Sequence, residues 1–451
     1  MASTSKTASF TSQMRFCTPV SQVMQTSTVG CPKETMSSEF RVGLIPATVR
    51  ELVSNGHKVF VESGAGLASG FTDSSYVDSG ATIVMDSATL YSSSQVIVKV
   101  QAPQPQEYSY IQPGQVIFAF FNFETNETLF SAMMQQQAIC FDYQYMQTEQ
   151  GMFPVLQSMC EISGRLSISQ AMKYLEKTMG GSGCMLGSVP GVENSGRVLI
   201  LGGGAAAMQA ARVASSTGAQ VCVMDVSMSN MKSISESLPS NCSTMLYCTE
   251  NLVNQLQQAD VVIGTVLGWL GSTSSNVSST QQLMKAPVLV TKEQVSLMKP
   301  GSVIVDLAIS RGGNFESSQP TTVGMPTFLW SNVTHYCATN LPSIVPRTSS
   351  VALSNSALVY IQQVANSGWQ RACVENSALM QGLMMVQNTT TSYMLSQVYS
   401  SSNYVPTEQV LQSVITSLNS QSNTDSTLVS LKQQLQQLQT SSGSSMYVVE
   451  A

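Results

Sequence analysis

The stretch from Val198 to Asp225, VLILGGGAAAMQAARVASSTGAQVCVMD, constrains the fold of this chain more than any other. An apolar run of strand length, Val198 to Leu201, leads into a glycine turn, and helix-forming residues follow from Ala205 to about Ser216. Gly218 stops that helix, and a second apolar run ends at Asp225. The order is that of a βαβ unit. In the turn, Gly202 permits the tight bend, Gly203 adds no side chain, and Gly204 lets a pyrophosphate approach the backbone. Ala207 is small enough for the helix to press on the strand. Free N–H groups at the helix start would then hold phosphates. Asp225 follows Gly204 by 21 residues, where an acid accepts from both ribose hydroxyls of NAD and repels the extra phosphate of NADP. A glycine pattern alone also fits an ordinary turn in an α/β core. Strand, turn, helix, strand and acid together point to dinucleotide binding.

The remaining chain repeats the alternation of strands and helices. Arg41-Val-Gly-Leu-Ile-Pro46 opens a helix that Gly56 closes, and Lys58 to Glu62, Gln95 to Val100 and Gln115 to Phe121 read as strands. Beyond the glycine unit come Asp260 to Val266, a low-complexity interruption over 268–284, the strand pattern Gly301 to Ala308, and an apolar helix over 351–367. The fold class expected is α/β, with two Rossmann-like doubly wound parallel-sheet domains and a cleft between them. Ligands in such folds lie beyond the carboxyl ends of the strands.

Both ends of the chain are different in kind. Residues 1–26 are rich in Ser and Thr, with Lys6 and Arg15 and no acid before Glu34, a composition shared by flexible extensions and organellar targeting segments. The polar tail 412–451 carries Leu428, Leu431, Leu435 and Leu438 behind Asp425, a short amphipathic helix that either docks on its own domain or binds a partner.

Charge is scarce: 10% of the 451 residues are Asp, Glu, Lys or Arg, against about 25% in ordinary soluble domains. With a net charge of -6, the surface lacks the repulsion that keeps crowded proteins apart, which fits a packed assembly and equally fits drift in composition. Ten scattered cysteines without a C-x-x-C pair, such as Cys140 and Cys222 inside apolar strands, read as reduced core thiols. Only His57 and His335 occur, so a histidine-rich metal site is not expected, and both read as structural residues. No apolar run is long enough to span a bilayer, and no basic patch marks a nucleic-acid partner. A cytoplasmic location is expected.

Several motifs then carry a family resemblance. Val29-Gly-Cys-Pro-Lys-Glu-Thr35 with Glu39-Phe-Arg-Val42, Gly64 to Asp73, Met159 to Arg165, Gly187 to Gly191, Met298 to Asp306, Gly312-Gly313, Pro320 to Thr322 and Tyr336 to Pro342 run in order along the chain. In these the chain resembles the alanine dehydrogenase and transhydrogenase alpha-subunit family, and alanine dehydrogenase in particular. The resemblance implies a discontinuous substrate-type domain (27–154 plus 347–411), an NAD-binding domain (155–346), NAD as cofactor and a homo-oligomer, from dimer to hexamer. It also places Cys160, Ile309 and Asn340 beside the glycine turn and Asp225 as cofactor residues, and Arg41 as the cation for the substrate carboxylate.

The chemistry departs from the family. Amino-acid oxidation needs a polarising cation and a proton relay while hydride leaves. The family's lysine in K-V-K-x-P is Gln101, its histidine is Asn122, and its aspartate in V-D-x-A-x-D is Ser310. None of the three relays a proton at pH 7. Lys99, two residues before Gln101 on the same strand face, and Arg311, beside Ser310, are the nearest ionisable replacements. The expectation is an NAD-binding pseudoenzyme with a structural or assembly role. The alternative is an active NAD-dependent L-alanine dehydrogenase with a rearranged site. A transhydrogenase-like hydride donor ranks third, because it would need a membrane partner.

Overall fold

The structure, a computed structural model, describes residues 26–187, 189–192, 196–268, 285–399 and 402–412. The N-terminal extension, the interruption after Gly268 and the leucine seam beyond 412 lie outside these residues.

Six strands open the first sheet: β1 (Thr28–Cys31), β2 (Lys58–Glu62), β3 (Thr82–Val84), β4 (Val96–Gln101), β5 (Val116–Phe120) and β6 (Ile139–Asp142). The second sheet takes β7 (Arg197–Leu201), β8 (Gln220–Asp225), β9 (Cys242–Leu246), β10 (Val261–Gly264), β11 (Val303–Asp306), β12 (Thr327–Trp330) and β13 (Val333–Tyr336). The chain then returns to the first sheet with β14 (Leu383–Val386) and β15 (Thr389–Thr390). The orders are β15-β14-β6-β5-β4-β1-β2-β3 and β12-β13-β11-β10-β7-β8-β9. Each contains the doubly wound order, in which the third, second and first strands are followed by the fourth, fifth and sixth. The expected parallel sheets carry antiparallel additions at one edge, β14 and β15 in the first and β12 in the second. Short turns join β12 to β13 and β14 to β15, so direction reverses within each pair, while β14 arrives beside β6 only after the chain has returned from the second sheet.

Central parallel strands are covered on both faces and therefore apolar at every position. In β5 all five residues are buried: Val116 and Phe118 join one core layer, Ile117 and Ala119 the other. In β7, Val198 and Ile200 pack on one face with Val223 and Ile263, and Leu199 and Leu201 pack on the opposite face with Met224 and Val262. Burying one such side chain contributes about 1.5–3 kcal/mol, so these four layers dominate the stability.

Two 22-residue helices, Pro154–Leu175 and Pro346–Ser367, each begin with proline at a position where no N–H is needed. The first crosses the helix Ala205–Ser216 at Gly164, where a Cβ would collide with the Ala206 carbonyl. The second returns to the first sheet, where its Ser350 and Ser354 hydroxyls accept from the backbone N–H groups of Val42 and Ile45. Among the described residues no helix is long and apolar enough to cross a membrane.

Candidate functional site

The strand order reverses between β1 and β4 in one sheet and between β7 and β10 in the other, which opens a crevice at the carboxyl end of each. At the second crevice, β7 ends and Gly202 turns with φ +105°, a conformation that glycine adopts without strain. Gly204 forms the N-terminal boundary of the helix Ala205–Ser216, with no side-chain cap. Its leading N–H groups are therefore available to an anion. Ala207 is fully buried between helix and strand. A Cβ at Gly203 would stand 2.7 Å from Asp225 Oδ2 and 2.8 Å from Asn230 Cβ, so only glycine lets the acid lie against the turn. Asp225 Oδ1 accepts from Ser227 N at 2.5 Å, which fixes the carboxylate at the end of β8. These residues fit a dinucleotide: donors for a pyrophosphate, and an acid beside them for a ribose.

Between the sheets lies a cleft of about 660 Å³. Arg41, Gln101, Asn122, Cys160, Ser310 and Asn340, far apart in sequence, all line it. Gly202, Gly203, Gly204, Ala207 and Asp225, of the turn, the helix after it and the end of β8, lie outside that lining, as does the buried Ile309. Three of those lining residues sit where strands end, whereas Cys160 comes from the helix Pro154–Leu175. Gln101 is the last residue of β4, Asn122 follows β5, and Ser310 lies in the short turn Ile309–Arg311 after β11. Asn122 holds φ +50°, a left-handed backbone that asparagine tolerates better than most residues.

The family model for the alanine dehydrogenase/PNT N-terminal domain matches residues 30–163, and that for the C-terminal domain matches 167–393. The chain belongs to the alanine dehydrogenase/PNT family. It is 37% identical over 355 residues to the alanine dehydrogenase of Mycolicibacterium smegmatis, covering 79% of this chain and 92% of that one. The alanine dehydrogenase of Methanococcus maripaludis is 36% identical over 384 residues, 85% of this chain and 99% of that one. Among solved structures, an L-alanine dehydrogenase superposes with a TM-score of 0.75 at 34% identity, covering 83% of this chain and 99% of that one. A transhydrogenase from Sinorhizobium meliloti superposes with a TM-score of 0.66 at 24% identity and 81% and 99% coverage, which speaks to the fold alone. Members of the alanine dehydrogenase/PNT family bind NAD(H), as the glycine turn here leads one to expect.

Within this family frame, the surviving charges of the cleft are all braced from behind. Arg41 is buried, and Glu39 grips it through Nε at 2.7 Å and Nη2 at 2.6 Å. Arg41 Nη2 also donates to Asn340 Oδ1 at 2.7 Å, and Nη1 reaches Met159 Sδ at 3.3 Å. Glu39 further accepts from Asn340 Nδ2 at 2.5 Å and from Gln101 Nε2 at 3.2 Å. Burial pushes the Glu39 carboxyl up, but Arg41 and these hydrogen bonds outweigh it and hold the group below its ordinary value. The motif containing Glu39 was visible in sequence; its grip on Arg41 was not.

Arg311 forms a second such centre. Its Nη2 lies 3.3 Å from Glu124 Oε1 and donates to Tyr145 Oη at 3.2 Å, and Asp142 is close enough to sense both charges. Burial, then Glu124, pushes the Asp142 carboxyl up to about 8, so it carries a proton at neutral pH. No sequence signal marked Glu124, Asp142 or Tyr145. Burial likewise pushes the Cys160 thiol up to about 12, with the Arg311 charge acting against it, so the cleft presents a thiol rather than a thiolate.

Lys99 requires a correction. It does not face the cleft as a replacement for the family lysine, but is fully buried with Glu107 at 3.0 Å and Glu34 at 3.3 Å. The register between β4 and β5 shifts between Val98 and Gln101, so two residues along the strand no longer means the same surroundings. Burial pushes Glu34 up to about 7 against the pull of Lys99. His57 and His335 are both structural: His57 Nε2 lies 2.8 Å from Asn366 Oδ1, and His335 Nε2 lies 2.8 Å from Ser317 Oγ. Asp306 caps local backbone, accepting from Ala308 N at 3.0 Å and Asn314 N at 2.8 Å. Among the described residues no cluster of His, Cys, Asp and Glu is placed to hold a metal ion.

Proposed function

We propose that this chain is an NAD(H)-binding member of the alanine dehydrogenase/PNT family that has lost amino-acid turnover and serves a structural or assembly role. One observation carries the proposal. Gln101, Asn122 and Ser310 all line the cleft, and among the described residues that lining holds no carboxylate, lysine or histidine. NAD, when bound, would accept the hydride; the chain's own residues would have to take the proton from the amine and relay it. Gln101, Asn122 and Ser310 can donate and accept hydrogen bonds, orienting a carbonyl or amine, but they release no proton near neutral pH. Losing one positioned acid or base costs about 10²–10⁴ in rate. Three such losses, even without full additivity, leave little turnover. We assign Gly202, Gly203, Gly204, Ala207, Asp225, Cys160, Ile309 and Asn340 to the cofactor and Arg41 to the carboxylate side. The domain boundaries that go with this reading are 27–154 plus 347–411 and 155–346, and the low charge of the surface favours a homo-oligomer.

Purified chain with L-alanine and NAD at high pH, and with pyruvate, ammonium and NADH, tests the proposal directly. The expected result is saturable NADH binding by fluorescence with no measurable turnover. Turnover near ordinary enzyme values, about 10 s⁻¹, would end it. The second reading, an active L-alanine dehydrogenase, is favoured by Arg41 in the cleft and by relatives of that name, and the same assay decides between the two.

A further inference from the structure

We infer that the cleft takes a small dicarboxylate, with one carboxylate on Arg41 and the other on Arg311. The inference rests on the reading of the cleft as a ligand site and adds its ligand class. Arg41 and Arg311 are the two charged residues in the lining among the described residues. One comes from each sheet: Arg41 lies ten residues past the end of β1, and Arg311 closes the turn after β11. Arg41 contacts Met159, and Met159 and Cys160, consecutive in the helix Pro154–Leu175, line the cleft together with both arginines. Both guanidiniums therefore face a single cleft of about 660 Å³, which has room for a short-chain diacid.

Bracing leaves donors for a ligand at both ends. Glu39 and Asn340 occupy Nε and Nη2 of Arg41, while Nη1 has only the weak thioether acceptor of Met159. Glu124 and Tyr145 occupy Nη2 of Arg311, and its Nε and Nη1 make no hydrogen bond among the described residues. Neither Glu39 nor Glu124 lines the cleft, so the guanidinium faces, not the carboxylates, are presented to it. A buried arginine held from behind by a carboxylate is pre-organised for a second anion in front. In the same lining, Gln101, Asn122 and Ser310 offer neutral donors and acceptors suited to a keto or hydroxyl group.

Calorimetric titration of the full chain with 2-oxoglutarate and with 2-oxopentanoate, at matched ionic strength and with or without NADH, tests this. The two probes have the same carbon chain and differ in the far carboxylate. The expected result is 2-oxoglutarate binding at least about tenfold tighter, the gain from one added charge-assisted contact. Replacing the Arg311–Glu124 pair by neutral groups of similar size, Arg311→Gln with Glu124→Gln, should bring the two affinities within about twofold and leave 2-oxopentanoate nearly unchanged. Arg311→Lys keeps the buried charge and should lose most of the preference, since a point charge does not replace the fork. Equal affinities in the unaltered chain, binding of neither acid, or a preference that survives either variant would overturn the inference. Turnover of L-alanine would instead defeat the proposed function and leave the preference to be judged by titration.

Discussion

Gly164 offers a direct test of how the fold positions the cofactor helix. It sits inside the helix Pro154–Leu175, where glycine costs about 1 kcal/mol relative to alanine, so its presence calls for a reason. The reason is contact. A Cβ at Gly164 would strike the Ala206 carbonyl oxygen, with the carbonyl carbon at 2.9 Å and Cα at 3.0 Å. These are backbone atoms of the first turn of the helix Ala205–Ser216 and cannot rotate away. Gly164→Ala therefore forces the two helices apart by about 1 Å, at an overpacking cost of about 1–3 kcal/mol, partly offset by about 1 kcal/mol of regained helix propensity. Net destabilisation of about 1 kcal/mol is expected. The larger effect falls on binding, because the N–H groups at the start of that helix move with it. Losing one charge-assisted hydrogen bond to a phosphate weakens NADH by about tenfold. Urea denaturation and NADH fluorescence titration measure the two effects. Ser169→Ala, on the exposed side of the same helix, is the control that gains propensity without a collision. If Gly164→Ala matched that control in both stability and NADH affinity, the argument from helix contact would fail.

Two further outcomes follow from buried carboxylates. Asp142 is pushed up from 3.8 to about 8, so between those values the unfolded chain has released a proton that the folded chain keeps. Stability contributed by this group therefore falls as pH rises from about 4 to about 8 and is flat above, by up to about 6 kcal/mol. Asp142→Asn should raise the Tm at pH 8 and converge with the unaltered chain towards pH 4. Its slope should flatten without vanishing, because Glu34, at about 7, and Asp306, at about 6, have the same sign; parallel Tm–pH curves would refute the assignment. Asp225→Ala should weaken NADH by about tenfold and narrow the preference over NADPH, since the acid would bind the ribose and repel an added phosphate. Unchanged NADH affinity by fluorescence would remove Asp225 from the pocket.

What could be read from sequence follows from which interactions are local. The unit β7, helix Ala205–Ser216 and β8 was legible nearly to the residue, because strand burial, the glycine turn and the helix stop are all encoded within a few positions of where they act. Gln101, Asn122, Ser310 and Asn340 were singled out by the family resemblance, and the structure brings all four to the lining of one cleft. Lys99 failed because alternation along a strand assumes unbroken register, and the ladder slips between Val98 and Gln101. The partners of Arg311 left no trace because Tyr145 is 166 residues away and nothing near either residue encodes the pairing.

The same division explains why retention of Arg41 is weak evidence for catalysis. Arg41 and Glu39 belong to the first lobe, Asn340 follows β13 of the second, and their mutual hydrogen bonds join the two across the cleft. Removing Arg41 would leave Glu39 buried without its counter-charge, a loss of about 3–5 kcal/mol in pairs of this kind. Arg41 is thus held by the requirements of the fold, whether or not a substrate is turned over. Gln101 contributes a single 3.2 Å hydrogen bond to that network, and Asn122 and Ser310 stand at turns outside the strands. Positions of that kind accept a neutral or an ionisable side chain while the cleft keeps its shape, so the loss of turnover proposed above is compatible with an unchanged Glu39–Arg41–Asn340 bridge.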